Sequence, residues 1–337
     1  MAKAQGLTWT IDDADHMTQA EIYGEVLTNL GLEDERIVAL TADLAGSTKI
    51  GKFQKKIPER FFNLGIAEAN MIAIASGMAA TGLIPVVSTF AVFASLRAAE
   101  FVRTDICYQK RNVKIIATHS GTSFGQSGTT HHCTEDLAVM RALSGITVIA
   151  PADSFETARA VKAGIEHDGP VYIRIGRGFE PPLHESLDFD YQIGKALRMR
   201  DGTDITVIAC GVPVLHAVEA ADRAKEQGVS VRVLDMHTLK PLDEEAVLEA
   251  VMDTRRIITV EDHNVIGGLG SAVSDVIAKS GKGCAVRKLG FQDEFSIVGY
   301  PEDLLHRYGL DADGIMGAIS DVLKQDFETD EDWEDEI

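Results

Sequence analysis

The chain has 337 residues, of which 45% are hydrophobic, and a formal net charge of −20. Its length predicts two domains that each bury a core. The acidic excess repels phosphate backbones and disfavours a nucleic-acid partner. No apolar run is long enough to cross a bilayer, and residues 1–17 lack the apolar segment of a signal peptide, so we expect a cytoplasmic protein.

The first half of the chain alternates short β-branched runs with longer stretches of helical composition. The runs predict strands at residues 36–42, 85–90, 113–119, 146–150 and 171–175. Helices are expected between them, notably at 66–81 and 153–167, the latter opening with Asp153 and, three residues on, Glu156. This order predicts a mostly parallel sheet covered by helices on both faces.

A turn-rich connector at 176–190 contains two adjacent prolines and predicts a domain boundary. After it the alternation restarts, with strands expected at 204–211, 229–236, 256–262 and 284–290. We therefore predict an α/β protein with two mostly parallel sheets. The expected parts are an N-terminal extension at 1–17, domains at 18–182 and 190–325, and a solvated acidic tail at 326–337.

Glu68 lies in the first turn of the predicted helix at 66–81. Acidic residues are common there because they interact favourably with the helix dipole. The neighbours of Glu68 are apolar, however, including Ile66, Met71 and Ile72. A buried, lone carboxylate in such surroundings would suit proton exchange near neutrality, so a functional role is open beside the structural one.

Two aromatic residues, Phe90 and Phe93, follow the second predicted strand. If this stretch is helical, a spacing of three places both rings on one face. Such pairs usually belong to the core, and they can also form a wall for a flat heteroaromatic ring. The spacing alone leaves both interpretations open.

Residues 118–136 form a Gly/Ser/Thr-rich loop with three histidines between a predicted strand and a helix. Loops at the carboxyl ends of parallel strands are where α/β sheets bind ligands. A zinc site at His131, His132 and Cys133 is disfavoured, because three consecutive residues rarely converge on one ion. Residues 267–270, GGLG, lack the spacing of a phosphate-binding loop, so tight packing or a subunit contact is favoured there.

In their order and spacing these segments resemble transketolase, from about residue 17 to residue 324. The resemblance is carried by TADL (41–44), FFNLGIAE (61–68), STF (88–90), TH…GTTH (118–131), GP…GR (169–177) and EDHNVIGGLGS (261–271). It implies a pyrimidine-binding domain followed by a transketolase C-terminal domain. It also implies thiamine diphosphate as cofactor and transfer of a two-carbon ketol unit between sugar phosphates such as pentose phosphates.

The resemblance implies a role for five residues at the cofactor. Glu68 matches the glutamate that hydrogen-bonds the aminopyrimidine and activates the cofactor, which itself supplies the chemistry. Phe90 and Phe93 match the aromatic pocket for the pyrimidine, and Asp43 an aspartate beside the cofactor. His131 matches a histidine near the reacting oxygens, so that Glu68 and His131 are the expected catalytic residues.

Four further positions match residues that contact the substrate. They are Ser47, His119, Ser127 and Arg177, and the guanidinium of Arg177 suits a phosphate. Ser127 stands where the family has an aspartate that contacts a donor hydroxyl, and Leu96 where many members have a third pocket aromatic. These departures put the sugar specificity in doubt.

The sequence contains no GDG motif, with which transketolases bind the diphosphate and its magnesium in an N-terminal domain. The resemblance therefore implies a split transketolase. A separate N-terminal subunit would supply the diphosphate and Mg²⁺ site, this chain would bind no metal, and an α2β2 heterotetramer would share the cofactor.

Three alternatives stay open at this point. One is a transketolase-like enzyme for an unusual ketose phosphate, such as apulose 4-phosphate. A second is the β subunit of a 2-oxoacid dehydrogenase, which shares the two-domain plan, and a third is a non-catalytic binding protein. The glutamate and the histidine loop, both present, argue against the third.

Overall fold

A computed structural model of the protein describes residue 11 and residues 14–178 and 180–325. The acidic tail expected at 326–337 and most of the extension expected at 1–17 lie outside the described residues. The chain is an α/β protein with two mostly parallel sheets covered by helices, which confirms the predicted fold class. No helix in the described part of the chain is long and apolar enough to cross a membrane.

The strands are β1 Ile37–Thr41, β2 Phe61–Asn63, β3 Ile84–Phe90, β4 Lys114–Thr118, β5 Thr147–Ile149, β6 Val171–Arg174, β7 Leu197–Arg200, β8 Ile205–Ala209, β9 Val231–Asp235, β10 Thr238–Lys240, β11 Arg256–Asn264 and β12 Ala285–Phe291. The helices are α1 Gln19–Glu33, α2 Gly51–Lys56, α3 Glu68–Ala80, α4 Ala99–Phe101, α5 Asp136–Ala142, α6 Ser154–Glu166, α7 Pro213–Glu226, α8 Glu244–Asp253, α9 Leu269–Ser280, α10 Pro301–Arg307 and α11 Ala312–Leu323. Short π-helical turns at Phe93–Arg97 and Val102–Cys107 flank α4.

The first sheet has seven strands in the order β10-β5-β6-β4-β3-β1-β2. All neighbours are parallel except β10, which pairs antiparallel with β5. Every residue of β1, β3, β4 and β6 is buried, as expected of strands covered on both faces. Ile37 and Ala39 pack into a core with α1 and α6, whereas Val38 and Leu40 point to the opposite face and pack with α3.

The second sheet has five strands in the order β12-β11-β8-β9-β7, with only β7 antiparallel. The core on the α3 face of the first sheet runs without a break into this second unit, because Leu239, Val247 and Leu269 belong to the same buried cluster as Leu40. The two units are thus joined by a shared core and by β10, which follows a strand of the second sheet and completes the first.

Side-chain caps begin two of the helices, α6 and α1. The side chain of Asp153 accepts a hydrogen bond from the backbone N–H of Glu156 at 2.7 Å, so Asp153 caps α6 as its spacing predicts. Thr18 and Glu21 form a complete capping box at the start of α1. Both caps fix the direction in which a helix leaves the preceding loop.

Candidate active site

The predicted site residues follow the carboxyl ends of five neighbouring strands of the first sheet. Asp43 and Ser47 come after β1, Glu68 after β2, Phe90 ends β3, His119 follows β4, and Arg177 comes shortly after β6. Because these strands are parallel, their carboxyl ends meet at one edge of the sheet. This edge is where open α/β sheets bind ligands.

A cluster of aromatic rings lies at this edge. The Phe90 and Phe93 rings stack with their centroids 5.6 Å apart, across the junction between β3 and the π-helical turn rather than along one helix face. The His131 ring forms edge-to-face pairs with Phe93 at 5.6 Å and with Phe90 at 6.2 Å between centroids. The structure therefore brings both predicted pocket aromatics together with the predicted catalytic histidine.

His119 completes the cluster in a constrained backbone conformation. Its ring stacks on Phe90 at 3.8 Å between centroids, and its Nδ1 is 2.8 Å from the hydroxyl of Thr118. Burial, followed by the nearby positive charge of Arg177 and by His131, lowers the pKa of His119 to about 3, so its imidazole is neutral at physiological pH. Its φ of 61° lies in the left-handed region, which costs free energy in a non-glycine residue and is characteristic of functional sites.

The carboxylate of Glu68 is buried, with 3% of its side chain exposed, as its apolar neighbours predict. The neighbours differ in detail, since Met71 and Ile72 are buried whereas Ile66 faces solvent. The expectation that this carboxylate is alone is wrong. Nη1 of Arg97 donates to Glu68 Oε1 at 3.0 Å, and the same guanidinium lies 3.9 Å from the centroid of the Phe93 ring.

Asp43 is exposed and is held by Asn63, at the end of the neighbouring strand. The backbone N–H of Asp43 donates to Asn63 Oδ1 at 3.0 Å, and the Asn63 amide donates to Asp43 Oδ1 at 2.9 Å. Asp43 also has a positive φ, of 63°. The sequence did not indicate a role for Asn63, although it lies within the FFNLG segment. Its contact with Asp43 depends on the pairing of β1 with β2, which only the structure shows.

Arg177 reaches the cluster through Phe124, a second residue that the sequence analysis missed. The Arg177 guanidinium lies 4.6 Å from the centroid of the Phe124 ring, and that ring meets His119 edge-on at 4.9 Å and His131 at 5.7 Å. Phe124 therefore connects the residue expected at the substrate phosphate to both histidines. The signal for it was its place in the histidine-rich loop.

Ser127 and Ser47 are predicted site residues that lie in loops at the same edge of the sheet. Ser127 is half-buried in a one-turn helix at Gly125–Ser127, where its backbone N–H donates to the carbonyl of Phe124 at 2.9 Å. Ser47 is exposed in the loop after β1. No side-chain hydrogen bond joins either serine to the ring cluster in the described residues.

Ser296, which follows β12 of the second sheet, contacts the histidine-rich loop of the first unit. Ser296 Oγ lies 2.5 Å from His132 Nδ1, and the backbone carbonyl of Ser296 accepts from Thr129 Oγ1 at 2.8 Å. His132 Nε2 is 3.1 Å from the carbonyl of Gly125. The Sγ of Cys133 instead lies 3.6 Å from Ser95 Oγ, so His132 and Cys133 have separate partners and do not converge.

Buried charges lie beneath the same loop. Arg174, at the end of β6, pairs with Asp136 at 3.2 Å and with Asp262, from β11 of the second sheet, at 3.3 Å. Tyr172 donates to Asp136 at 2.6 Å. A side chain at Gly121, where φ is +53°, would come within 1.9 Å of the Asp262 carboxylate, so the loop between the histidines is seated directly on this charge.

The GGLG element is a site of tight packing. The buried carboxylate of Glu261 accepts the backbone N–H groups of Leu269 at 2.6 Å and Gly270 at 2.8 Å, at the start of α9. A Cβ at Gly268 would lie 1.9 Å from Glu261. The helix N-terminus is thus occupied by an internal carboxylate and is not open to a phosphate.

The comparisons with known proteins agree with this architecture. The family model described as "Transketolase, pyrimidine binding domain" matches residues 15–180, and the one described as "Transketolase, C-terminal domain" matches residues 194–315. A putative transketolase C-terminal section from Methanocaldococcus jannaschii is 43% identical over 305 residues, which cover 90% of this chain and 96% of that protein. The chain belongs to the transketolase family.

Two further relatives show which members it is similar to. One of the subunits of the apulose-4-phosphate transketolase from Phocaeicola vulgatus is 38% identical over 303 residues, covering 90% of this chain and 96% of that one. A solved structure described as "Split gene transketolase, inactive beta4 tetramer" is 43% identical, with a TM-score of 0.82, covering 91% of this chain and 98% of that chain. The chain thus spans nearly the full length of proteins described as transketolase subunits or sections.

Family membership implies the use of thiamine diphosphate, and the residues present fit one end of it. The ring cluster and the buried carboxylate of Glu68 suit a flat heteroaromatic ring with polar nitrogens. In the described part of the chain, the only group of three potential metal ligands is His306, Asp311 and Asp313, on α10 and α11 and the turn joining them. The ring cluster and Glu68 are thus the part of the chain that fits a flat ring such as a pyrimidine.

Proposed function

We propose that this chain is the C-terminal subunit of a split transketolase that transfers a two-carbon ketol unit between sugar phosphates. It would bind the aminopyrimidine of thiamine diphosphate, while an N-terminal subunit with a GDG motif binds the diphosphate and its Mg²⁺. The proposed assembly is an α2β2 heterotetramer with the cofactor between subunits. The cytoplasmic location stays a prediction.

One observation carries the proposal: a buried carboxylate, Glu68, is joined through Arg97 to Phe93 of the Phe90–Phe93–His131 cluster, at the edge of the sheet where α/β proteins bind ligands. A carboxylate is rarely buried without a partner of opposite charge or a function. Here the partner is the half-exposed Arg97, whose guanidinium also covers Phe93. The Arg97 guanidinium is itself flat and polar, so a polar aromatic ring could make the same two contacts, a hydrogen bond to Glu68 and a stack on Phe93.

The proposed division of labour follows from the environment of each side chain. Bound thiamine diphosphate supplies a carbon nucleophile for the ketose carbonyl. Glu68 holds a proton at the pyrimidine ring nitrogen, and Phe90 and Phe93 orient that ring and exclude water. His119 is neutral and can donate or accept a hydrogen bond at a substrate hydroxyl, and His131 exchanges a proton with the reacting oxygens.

The substrate end is where this chain departs from the family. Ser127 stands in place of an acid there, and Leu96 in place of a third aromatic of the pyrimidine pocket. Phe124 presents an aromatic face to Arg177. We propose that Arg177 binds the phosphate and that the donor is a sugar phosphate of altered shape. The similarity to a subunit of an apulose-4-phosphate transketolase supports an unusual ketose phosphate as an alternative to xylulose 5-phosphate.

The test is reconstitution with the partner subunit. The chain, the partner, thiamine diphosphate and Mg²⁺ should together transfer two carbons from xylulose 5-phosphate or apulose 4-phosphate to ribose 5-phosphate, detected by mass spectrometry. Either subunit alone should be inactive. Carbon dioxide release from a 2-oxoacid in place of ketol transfer would identify a dehydrogenase subunit and overturn the proposal.

Phe124→Leu should impair the use of phosphorylated donors selectively. Loss of the ring removes the cation–π contact that holds Arg177, worth ~0.5–2 kcal/mol, so kcat/KM for xylulose 5-phosphate should fall by roughly 10-fold through KM. With hydroxypyruvate, a donor without phosphate, the change should be small. Phe124→Tyr, which keeps the ring face, is the control, and an equal loss with both donors would refute a role at the phosphate.

A further inference from the structure

Arg97 makes two contacts at the proposed cofactor site that the family resemblance does not assign. Its Nη1 donates to Glu68 Oε1 at 3.0 Å, and its guanidinium carbon lies 3.9 Å from the centroid of the Phe93 ring. The guanidinium is planar and delocalised, so it stacks on an aromatic face while it donates in its own plane. One side chain thus engages both the carboxylate and the aromatic wall.

These contacts are those that the proposed function assigns to the aminopyrimidine. A flat ring that stacks on Phe93 and hydrogen-bonds to Glu68 must lie where the Arg97 guanidinium now lies, since that group touches both. Other sides of the Phe93 ring are occupied by Phe90 and by His131, each at 5.6 Å between centroids. The guanidinium and the cofactor ring therefore compete for the same space.

The local structure allows Arg97 to leave. Arg97 is the last residue of the π-helical turn Phe93–Arg97, a type of turn that is rare and frequently found at functional sites. Half of its side chain is exposed, whereas 3% of Glu68 is, so the guanidinium can move into water while the carboxylate stays. Its neighbour Leu96 is exposed as well, which leaves room beside the turn.

We propose that Arg97 is a removable plug of the pyrimidine site. While the cofactor is absent it neutralises the buried Glu68 carboxylate and covers Phe93, and the incoming aminopyrimidine displaces it. This inference rests on the proposed function, since it takes the pyrimidine to bind at Glu68 and Phe93. The Glu68 carboxylate thus has a hydrogen-bonding partner at the same position in both states.

If Arg97 is a plug, its removal should strengthen cofactor binding, whereas most substitutions in a binding site weaken it. Arg97→Ala should tighten binding of thiamine diphosphate to the assembled complex, because the cofactor no longer breaks an ion pair and a cation–π contact. From the typical strength of those contacts we expect a roughly 10-fold lower Kd, equal to about 1.4 kcal/mol. Isothermal titration calorimetry with saturating Mg²⁺ measures it without reference to activity.

Three variants define the result. Arg97→Lys keeps the charge without the planar stack and should give an intermediate Kd. Arg103→Ala removes an exposed arginine from the second π-helical turn and should leave the Kd unchanged. In a Glu68→Gln background the gain from Arg97→Ala should shrink, because the ion pair is already gone.

The outcomes separate this inference from the proposed function. If wild type binds thiamine diphosphate and Arg97→Ala binds it equally or more weakly, Arg97 is no plug but a structural or cofactor-binding residue. If neither wild type nor Arg97→Ala binds thiamine diphosphate in the presence of the partner, the proposed function falls and the plug with it. Tighter binding of thiamine diphosphate by Arg97→Ala than by wild type supports both the plug and the proposed function.

Discussion

Replacing Glu68 by glutamine is expected to lower kcat of the reconstituted enzyme by ~10² or more, the usual contribution of a positioned acid or base. Glutamine has nearly the same shape and keeps an oxygen for Arg97, but it cannot hold or release a proton at the pyrimidine. Because the side chain is buried, water cannot easily replace it in that role. Steady-state kinetics at saturating cofactor measure the effect on turnover separately from binding.

The matched control for this substitution is Glu100→Gln. Glu100 is an exposed acid between the two π-helical turns, and its carboxylate accepts from Thr104 at 2.7 Å. Its loss should change kcat by less than twofold, in keeping with small effects at exposed sites. Unchanged turnover in Glu68→Gln would show that the buried carboxylate is structural, and the assignment of the cofactor's activating residue would fail.

The fold was predictable wherever local pattern and burial agree. The run at 36–42 became β1 because its residues are apolar on both faces, as a strand between two helical layers requires. β10 was missed because Thr238–Lys240 is short and pairs only with β5, far away in sequence. No local pattern reveals that a strand after the second domain's β9 belongs to the first sheet.

The site was predictable in its residue types and not in its internal contacts. Small apolar neighbours correctly indicated a buried Glu68, but its partner Arg97 is 29 residues away and reaches it only from a π-helical turn. Phe124 lies in a loop that drew attention through its glycines and histidines. A single aromatic residue in a loop forms no periodic pattern, so nothing in the sequence indicated its contact with Arg177. Ser296 is more distant still, and only the packed structure shows that it contacts His132.

These long-range contacts explain why the second unit belongs to the site although none of the predicted site residues lies in it. Asp262 supports Gly121 from below and Ser296 holds His132 from outside, so both ends of the histidine loop are fixed by residues of the second sheet's unit. The loop places His119 and His131 against Phe90. The contacts of Arg174 with Asp136 and Asp262 lie beneath this loop and join the two units; we call them the junction. A substitution at the junction should therefore lower stability and displace the loop together.

Arg174→Leu tests this junction. Arg174 is almost completely buried. Burial alone would lower its pKa, but the negative charges of Asp136 and Asp262 raise the pKa by more than burial lowers it, so Arg174 stays charged. Removal of one partner of a buried ion pair typically costs ~3–5 kcal/mol, because the remaining charges are left uncompensated. We expect a loss of that size in the free energy of unfolding, measured by urea denaturation with circular dichroism.

Arg198→Leu is the control, since Arg198 pairs with Glu249 at the surface and should contribute less than about 1 kcal/mol. If Arg174→Leu does not fold, the combination with Asp136→Asn and Asp262→Asn should restore folding, because it removes the uncompensated charges along with the arginine. A folded triple variant should still show weakened activity, since an uncharged junction no longer fixes the histidine loop. A stable Arg174→Leu protein with normal turnover would instead mean that the shared apolar core alone positions the second unit.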